Sequence, residues 1–215
     1  MSESSSALAH QFDDLEQQFR ADSLGMWLFL ATEIMFFGGL FAGYTVYRSM
    51  YPDAFAEASR HLDALLGGIN TAVLIGSSLM MALAVHSAQV GNKKLLIRFL
   101  LLTILLGSVF IAIKFYEYHH KFEEGLIPGL NFTYAGPDWR QVELLFVFYF
   151  IMTGMHALHM VIGVGLLTYL VIQARRDVFS PEYYMPVDLI GLYWHFVDIV
   201  WIFLFPLLYL MGLHE

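Results

Sequence analysis

Cysteine and charge are scarce in this sequence. Its 215 residues include no cysteine, which excludes disulfide frameworks, cysteine-ligated zinc, iron–sulfur clusters and thiol nucleophiles. Only 14% of the residues are charged, whereas soluble domains contain about 25%. So few charges cannot cover a water-facing surface, and this excludes an ordinary soluble enzyme. The formal net charge of −8 argues against nucleic-acid binding, which uses clustered lysine and arginine.

Hydrophobic residues, by contrast, make up 58% of the chain and are concentrated in five segments. A helix that crosses a bilayer needs about 20 apolar residues, and each segment is close to that length. Alternation of apolar and polar residues with a period of two is missing, which argues against a transmembrane β-barrel. The sequence therefore predicts an all-α polytopic membrane protein with five transmembrane helices. The predicted spans are about 24–47, 64–85, 95–113, 144–172 and 189–213.

Residues 1–22 differ from the rest because they are acidic and polar. They lack the basic residues followed by an apolar core that a secretory signal requires. Apolar residues recur in this segment at helical spacing, which predicts a short amphipathic helix, either on the surface or docked on a partner protein. Residues 23–215 are predicted to form a single membrane domain. The apolar stripe consists of Leu8, Phe12, Leu15 and Phe19.

The distribution of lysine and arginine predicts the orientation of the chain. Cytoplasmic loops close to helix ends carry an excess of these residues. Two dense basic pairs, Lys93–Lys94 and Arg175–Arg176, lie in short loops on the same side as the N-terminus. The segment after the last span has neither residue. We therefore expect the N-terminus inside and the C-terminus outside, with the long outer connection from Lys114 to Val142 forming an ordered cap.

Several ionisable residues lie inside the predicted spans. Such residues are costly in a bilayer and usually face the bundle interior, where they find a partner. Glu33 lies near the centre of the first span. His156 and His159 share nearly one face of the fourth span, and His195 and Asp198 have the same spacing in the fifth. Because successive spans alternate in direction, we expect Glu33, His159 and Asp198 at similar depths near the membrane centre.

Three interpretations of these polar residues remain open from the sequence. They could satisfy one another through interhelical hydrogen bonds, each contributing about 0.6–2 kcal/mol. They could store or relay protons, as intramembrane glutamate and histidine often do. Two imidazoles could ligate a haem, although His159 and His195, the best available pair, differ in depth by about one helical turn. No metal site is predicted. Methionine can ligate copper, but the methionines of this sequence are interpreted as flexible core packing.

Five strings, in this order and spacing, resemble subunit III of the haem–copper oxidases from residue 24 onwards. The strings in the fourth and fifth spans are the most specific of the five. They are TEIMFF at 32–37, NT at 70–71, YEYHH at 116–120, TGMHALH at 153–159 and WHFVDIVW at 194–201.

The resemblance implies a non-catalytic subunit of a proton-translocating, cytochrome c oxidase type of complex. It implies no cofactor in this chain, with haem and copper held by partner subunits. Subunit I would be the direct partner, together with subunit II, other respiratory-complex subunits and phospholipids, in a bacterial inner membrane. The implied roles are lipid binding, support of proton uptake, and protection of the catalytic subunit from turnover inactivation.

The resemblance also assigns roles to residues of this sequence. Glu33 matches the family's membrane-embedded carboxylate. Together with His159, His195 and Asp198 it is expected to form a lipid-binding or proton-buffering site. The expected polar core of the bundle consists of His156, Asn70 and Glu117.

One departure and three alternatives stay open. Larger members of the family have seven helices, and this chain begins at what would be the third, so a complete lipid cleft would need a wall from a partner. The chain could instead serve a quinol oxidase or a nitric oxide reductase, although Thr32–Glu33 favours the cytochrome c oxidase branch. An independent proton-coupled transporter would use Glu33, His159 and Asp198, but it predicts inverted repeats, and none is visible in the sequence.

Overall fold

The computed structural model describes residues 10–136 and 138–210. Within these ranges the chain forms six α-helices, and five of them are long and apolar enough to cross a membrane. This confirms the prediction of an all-α protein with five spanning-capable helices. The helices are α1 (Leu15–Met50), α2 (Pro52–Arg60), α3 (Ala64–Gln89), α4 (Lys93–Glu123), α5 (Trp139–Arg175) and α6 (Met185–Tyr209).

The helix bounds differ from the predicted spans, chiefly by extending beyond them. The third span was expected to end at residue 113, but the corresponding helix, α4, continues to Glu123. Helix α5 has 37 residues and is therefore about 55 Å long. α1 begins at Leu15 and runs unbroken through residue 22, so Phe19 belongs to the first long helix rather than to a separate amphipathic one. Helix α2 was not predicted. Leu8, Pro137 and the predicted end of the last span at 211–213 lie outside the described residues.

Side-chain caps define the starts of three long helices. The carboxylates of Asp14 and Asp63 accept hydrogen bonds from backbone N–H groups two residues inside α1 and α3, at 2.7 and 3.0 Å. The side chain of Asn92 does the same for α4, at 3.2 Å. Gly91, with φ of 72°, makes the tight turn between α3 and α4, since a positive φ is strained for other residues.

Four helices form a ring in the order α3, α4, α5, α6, with α6 packed back against α3. Helix α1 lies outside this ring, against α5 and α6, and its Tyr44 hydroxyl donates to the carbonyl of Leu207 at 2.8 Å. At one end of the bundle Lys93 pairs with Asp177 at 2.6 Å. At the other end Lys121 donates to the carbonyl of His61. The connections are therefore fastened at both ends of the ring.

Trp194 of α6 fills the centre of the ring. Its indole N–H donates to Ser77 of α3 at 3.0 Å, and the residue is fully buried. Its six-membered ring packs directly on Gly107 of α4 and Gly163 of α5, where a Cβ atom would lie 2.7 and 2.8 Å from the indole. These two glycines allow α4 and α5 to pack closely against the Trp194 indole of α6. Small residues promote helix packing in membranes in this way.

A pair of glycine substitutions on α5 tests this packing. We expect Gly163→Ala to lower the free energy of unfolding by about 1–3 kcal/mol, because the added methyl overpacks the core against Trp194. Thermal unfolding in mild detergent measures the change. The matched control is Gly165→Ala, whose added methyl meets nothing within 4 Å and which should match or slightly exceed the wild type. Equal melting temperatures for the two variants would contradict the packing role of Trp194.

Candidate functional site

The structure brings Glu33 of α1 and His159 of α5 together across 126 residues of sequence. The Glu33 carboxylate lies 3.1 Å from His159 Nε2. His159 Nδ1 lies 2.8 Å from the backbone carbonyl of Met155, one turn earlier in α5. The side chains are only 20% and 11% exposed. The two helices are thus joined by a pair of ionisable groups near the middle of the bundle.

The hydrogen bonds of this pair determine how many protons it holds. A carbonyl oxygen can only accept, so His159 Nδ1 must carry a hydrogen to bond to Met155. Nε2 then faces Glu33, and a single further proton lies on one of the two facing atoms. The pair is either a neutral carboxylic acid with a neutral imidazole, or a carboxylate with an imidazolium. Both arrangements have zero net charge, which lowers the cost of placing the pair in hydrocarbon.

Aromatic side chains enclose the imidazole of His159. The Phe37 ring lies with its centroid 5.4 Å away, and the Tyr193 ring stacks on it at 6.4 Å. The Tyr193 hydroxyl donates to the His159 backbone carbonyl at 3.0 Å. These contacts fix the orientation of the ring from α1 and α6, so His159 is held by three helices.

An apolar cleft adjoins the pair, between α1 and α6. Its volume is about 420 Å³, within the range of small-molecule pockets. Phe37 contributes to both the cleft and the His159 enclosure. Apart from His195, the cleft lining is apolar or glycine, which suits a hydrocarbon chain. The residues that line it include Trp27, Leu30, Phe41, Phe196 and Phe203.

His195 and Asp198 do not join Glu33 and His159. The Ser78 hydroxyl of α3 lies 2.7 Å from His195 Nδ1. Asp198 is 4% exposed, and Ser78 also interacts with its carboxyl group. The sequence placed Glu33, His159 and Asp198 at one depth, but the structure gives Asp198 a different neighbourhood, between α3 and α6.

A second cluster is built around Lys114, and Glu117 is its one member that the sequence predicted for the polar core of the bundle. Lys114 was assigned to the start of an outer loop, but the structure instead places it in α4, with only 3% of its side chain exposed. Its ammonium group donates to Glu117 at 2.8 Å, to the hydroxyl of Tyr149 at 3.1 Å and to the hydroxyl of Tyr209 at 2.8 Å. These four residues come from α4, α5 and α6, and we call them the lysine cluster.

Every donor in the lysine cluster has an acceptor. The two tyrosine hydroxyls accept from Lys114 and donate to the second oxygen of Glu117, at 2.9 and 2.6 Å. The three protons of the ammonium group are therefore all used, and both carboxylate oxygens are occupied. Four aromatic rings also surround the ammonium at 5.0–5.5 Å, a distance at which cation–π attraction is appreciable. These rings belong to Tyr118, Tyr149, Trp201 and Tyr209.

Only part of this cluster had a signal in the sequence. The i, i+3 spacing of Lys114 and Glu117 at the end of an apolar run is compatible with an internal pair. The sequence did not indicate that Tyr149 and Tyr209 would be buried, because tyrosines near the ends of spans are usually interfacial anchors.

The remaining predicted core residues are deeply buried. Asn70 and His156 are 0% and 1% exposed, and their polar side-chain atoms have no hydrogen-bond partner among the described residues. The His156 ring instead packs on Phe110 and Trp201, with centroids 5.4 and 5.3 Å away. Across residues 10–136 and 138–210, no group of three histidine, aspartate or glutamate side chains is arranged to hold a metal ion.

The sequence model of the family described as cytochrome c oxidase subunit III matches residues 14–213. The chain belongs to the cytochrome c oxidase subunit III family. It is also 32% identical to the quinol oxidase subunit 3 of Bacillus subtilis (strain 168) over 199 residues, which cover 90% of this chain and 89% of the relative.

Relatives named for the cytochrome c branch match equally well. A probable cytochrome c oxidase subunit 3 of Nocardia farcinica is 35% identical over 187 residues, covering 87% of this chain and 86% of the relative. The cytochrome c oxidase subunit 3 of Corynebacterium diphtheriae is 33% identical over 189 residues, with the same coverage.

Family membership confirms the resemblance and settles its coarser implications. The chain is a subunit III of a haem–copper oxidase, of the quinol or cytochrome c type, and so a component of the respiratory chain whose partners are other oxidase subunits. The five spanning-capable helices and the bacterial relatives together support a multi-pass bacterial membrane protein.

The lysine cluster generates a stability prediction. Lys114→Met should lower the free energy of unfolding by about 3–5 kcal/mol, because it leaves the buried Glu117 carboxylate uncompensated. Adding Glu117→Leu should recover part of this loss, because no buried charge then remains. Unfolding in mild detergent measures both variants.

The exposed pair formed by Arg60 and Glu57, also at i, i+3 and 3.3 Å apart, provides the control. Arg60→Met should change stability by only about 0–1 kcal/mol, as expected for a solvent-screened pair. A Lys114→Met variant as stable as the wild type would show that the cluster does not hold α4, α5 and α6 together.

Proposed function

We propose that this chain stabilises the catalytic subunit of its oxidase and supports proton uptake through the Glu33–His159 pair, with lipid bound beside it. The observation that carries the proposal is the geometry of the pair. One proton lies between the Glu33 carboxyl and His159 Nε2, in two arrangements of equal net charge. Intramembrane glutamate and histidine residues are typical of proton relays, which supports the proposal of a proton buffer at this pair.

The cleft between α1 and α6 is the proposed lipid site. Its apolar lining suits an acyl chain, and its position next to Phe37 sets that chain beside the proton pair. His195 also lines this cleft, which is why we retain it among the residues of the proposed lipid site.

The wider assignment follows from the family. We propose subunit I as the direct partner, subunit II as a further component of the same complex, and phospholipids as bound ligands in a bacterial inner membrane. Haem and copper would be held by partner subunits, with none in this chain. The basic residues Lys93, Lys94, Arg175 and Arg176 lie at the end of the bundle where α4 begins and α5 ends, and we place that end inside.

The cytochrome c branch remains our assignment for the electron donor, on the basis of Thr32–Glu33. Quinol and cytochrome c relatives match this chain at similar identity. Oxidation of reduced cytochrome c by the purified complex supports the assignment, whereas exclusive oxidation of quinol moves the chain to the quinol branch.

The substitution Glu33→Gln separates buffering from an obligatory role in pumping. Glutamine can still donate a hydrogen bond to His159 Nε2, so assembly and initial turnover should equal those of the wild type, and pumped protons per electron should be unchanged. Proton uptake by the assembled oxidase should slow under rapid turnover, because glutamine cannot exchange the buffered proton. Stopped-flow proton uptake and pumping in vesicles measure both properties.

The neighbouring substitution Thr32→Val is the control. Thr32 is exposed, and among the described residues its hydroxyl bonds only to the carbonyl of Phe29 in its own helix, at 2.7 Å, so proton uptake should remain at the wild-type rate. Complete loss of pumping in an assembled Glu33→Gln complex would contradict the buffering role. Unchanged proton uptake at every turnover rate would contradict it as well.

A further inference from the structure

Basic side chains collect at the end of the bundle where α4 begins and α5 ends. One of them, Lys93, is neutralised by Asp177 at 2.6 Å. Among the residues that the structure describes, its basic neighbours make no ion pair, and all of them are exposed. These neighbours are Lys94 and Arg98 on α4, and Arg175 and Arg176 at the end of α5. This end of the bundle therefore carries an excess of positive charge.

Three of these cations share one surface of the bundle, over the seam between α4 and α5. Lys94 and Arg98 are four residues apart and therefore lie on one face of α4. The backbone carbonyl of Arg175 accepts a hydrogen bond from Lys93 Nζ at 3.1 Å, which places the end of α5 beside the start of α4. Arg175 also follows Val164, whose side chain packs on α4, by eleven residues, which is close to three full turns. Arg175 consequently lies on the side of α5 that faces α4.

An apolar strip continues from these cations toward the membrane centre. Leu101 and Leu105 follow Lys94 by seven and eleven residues, so they lie on the same face of α4. Their side chains are 43% and 58% exposed. On α5, Val161 precedes Arg175 by fourteen residues, about four turns, and is 52% exposed. Cations at the membrane surface followed by an open apolar strip match the two parts of a phospholipid.

The charge and depth of the cations select the headgroup. Arg98 lies five residues, about 8 Å, inside the start of α4, a position from which a long basic side chain reaches the interface. A guanidinium group binds phosphate through two parallel hydrogen bonds, and basic residues at a membrane surface attract anionic lipids. A zwitterionic headgroup adds an ammonium group, which the cations repel. The surface therefore favours an anionic phospholipid.

We propose that Lys94, Arg98 and Arg175 bind the headgroup of an anionic phospholipid at the seam between α4 and α5. The acyl chains of this lipid lie along Leu101 and Leu105. The site is separate from the cleft between α1 and α6, because no residue of α4 or α5 lines that cleft. The inference rests on the proposed function, in which the chain binds lipid, and it adds a second site and the class of lipid that the site holds.

A photoactivatable phosphatidylglycerol, with a diazirine in its acyl chain, tests the site in the purified oxidase. The probe is activated by light in mild detergent, and mass spectrometry maps its attachment points on this chain. We expect labels on the α4 strip around Leu101 and Leu105. Arg98→Gln should lower this labelling about fivefold, the loss expected for one basic residue at a membrane surface. Adding Lys94→Gln should lower it about fivefold again.

Arg176→Gln is the matched control. Arg176 is exposed at the same end of the bundle, but it lies about 100° further around the helix axis than Arg175, away from the seam. Its replacement should leave labelling of the strip at the wild-type level. Equal losses in the Arg98→Gln and Arg176→Gln variants would reduce the effect to general surface charge and overturn the proposal. The melting temperature of each purified complex shows that the variants are folded.

Three other results also overturn the proposal. The first is equal labelling of the strip by a phosphatidylcholine probe with the same acyl chain. The second is a strip that neither probe labels in the assembled oxidase, as when another subunit covers it. The third is displacement of the label by inorganic phosphate, which would make a free anion the ligand. Labels on the residues of α1 and α6 that line their cleft report the lipid site of the proposed function separately, so failure of one site is distinguishable from failure of the other.

Discussion

The cost of an unpaired charge in hydrocarbon is the constraint on which this bundle depends. A charged side chain inside a bilayer costs several kcal/mol unless it is paired, so a lysine and a glutamate persist there as partners whose donors meet acceptors. The lysine cluster meets this condition completely, and it does so with residues from α4, α5 and α6. Satisfying one buried charge pair thereby fixes the relative positions of three helices.

The same constraint explains how α1 is attached. This helix is the least enclosed of the five long helices, with 11% of its most apolar window buried, so apolar packing against the ring is limited. Its polar links to the ring include the Glu33–His159 pair and the hydrogen bond from Tyr44 to Leu207. The contact through Glu33 that positions α1 is therefore also the one that we propose for proton buffering.

The sequence predicted those features that depend on averages over many residues. Apolar length predicted five long helices, and the strings around Glu33, His159 and Asp198 indicated the family. Precise helix ends were less predictable. By hydropathy alone, Lys114 marks the start of a loop, so the span was expected to end at residue 113. In the structure Lys114 is neutralised inside the bundle, and α4 continues ten residues further, to Glu123.

Within the site, the sequence predicted depth but not lateral position. Glu33, His159 and Asp198 were expected close together because of their shared depth. Which of them meet depends on the rotation of each helix about its axis, and packing around Trp194 sets that rotation for α6. Asp198 consequently faces α3, whereas His159 faces α1. Rotation of this kind arises from tertiary contacts, which no local pattern in the sequence encodes.

The most direct test of the account is whether haem belongs to this chain or to a partner. The tagged chain would be purified from its native membrane in mild detergent, and a reduced-minus-oxidised optical spectrum taken before and after a harsher detergent wash. We predict a haem signal that accompanies the chain and then leaves with a larger co-purified subunit. A haem signal that stays with this chain alone would contradict the account, because its histidines would then be ligands. A folded chain that carries neither haem nor partner at either stage would contradict it too, and would favour an independent transporter.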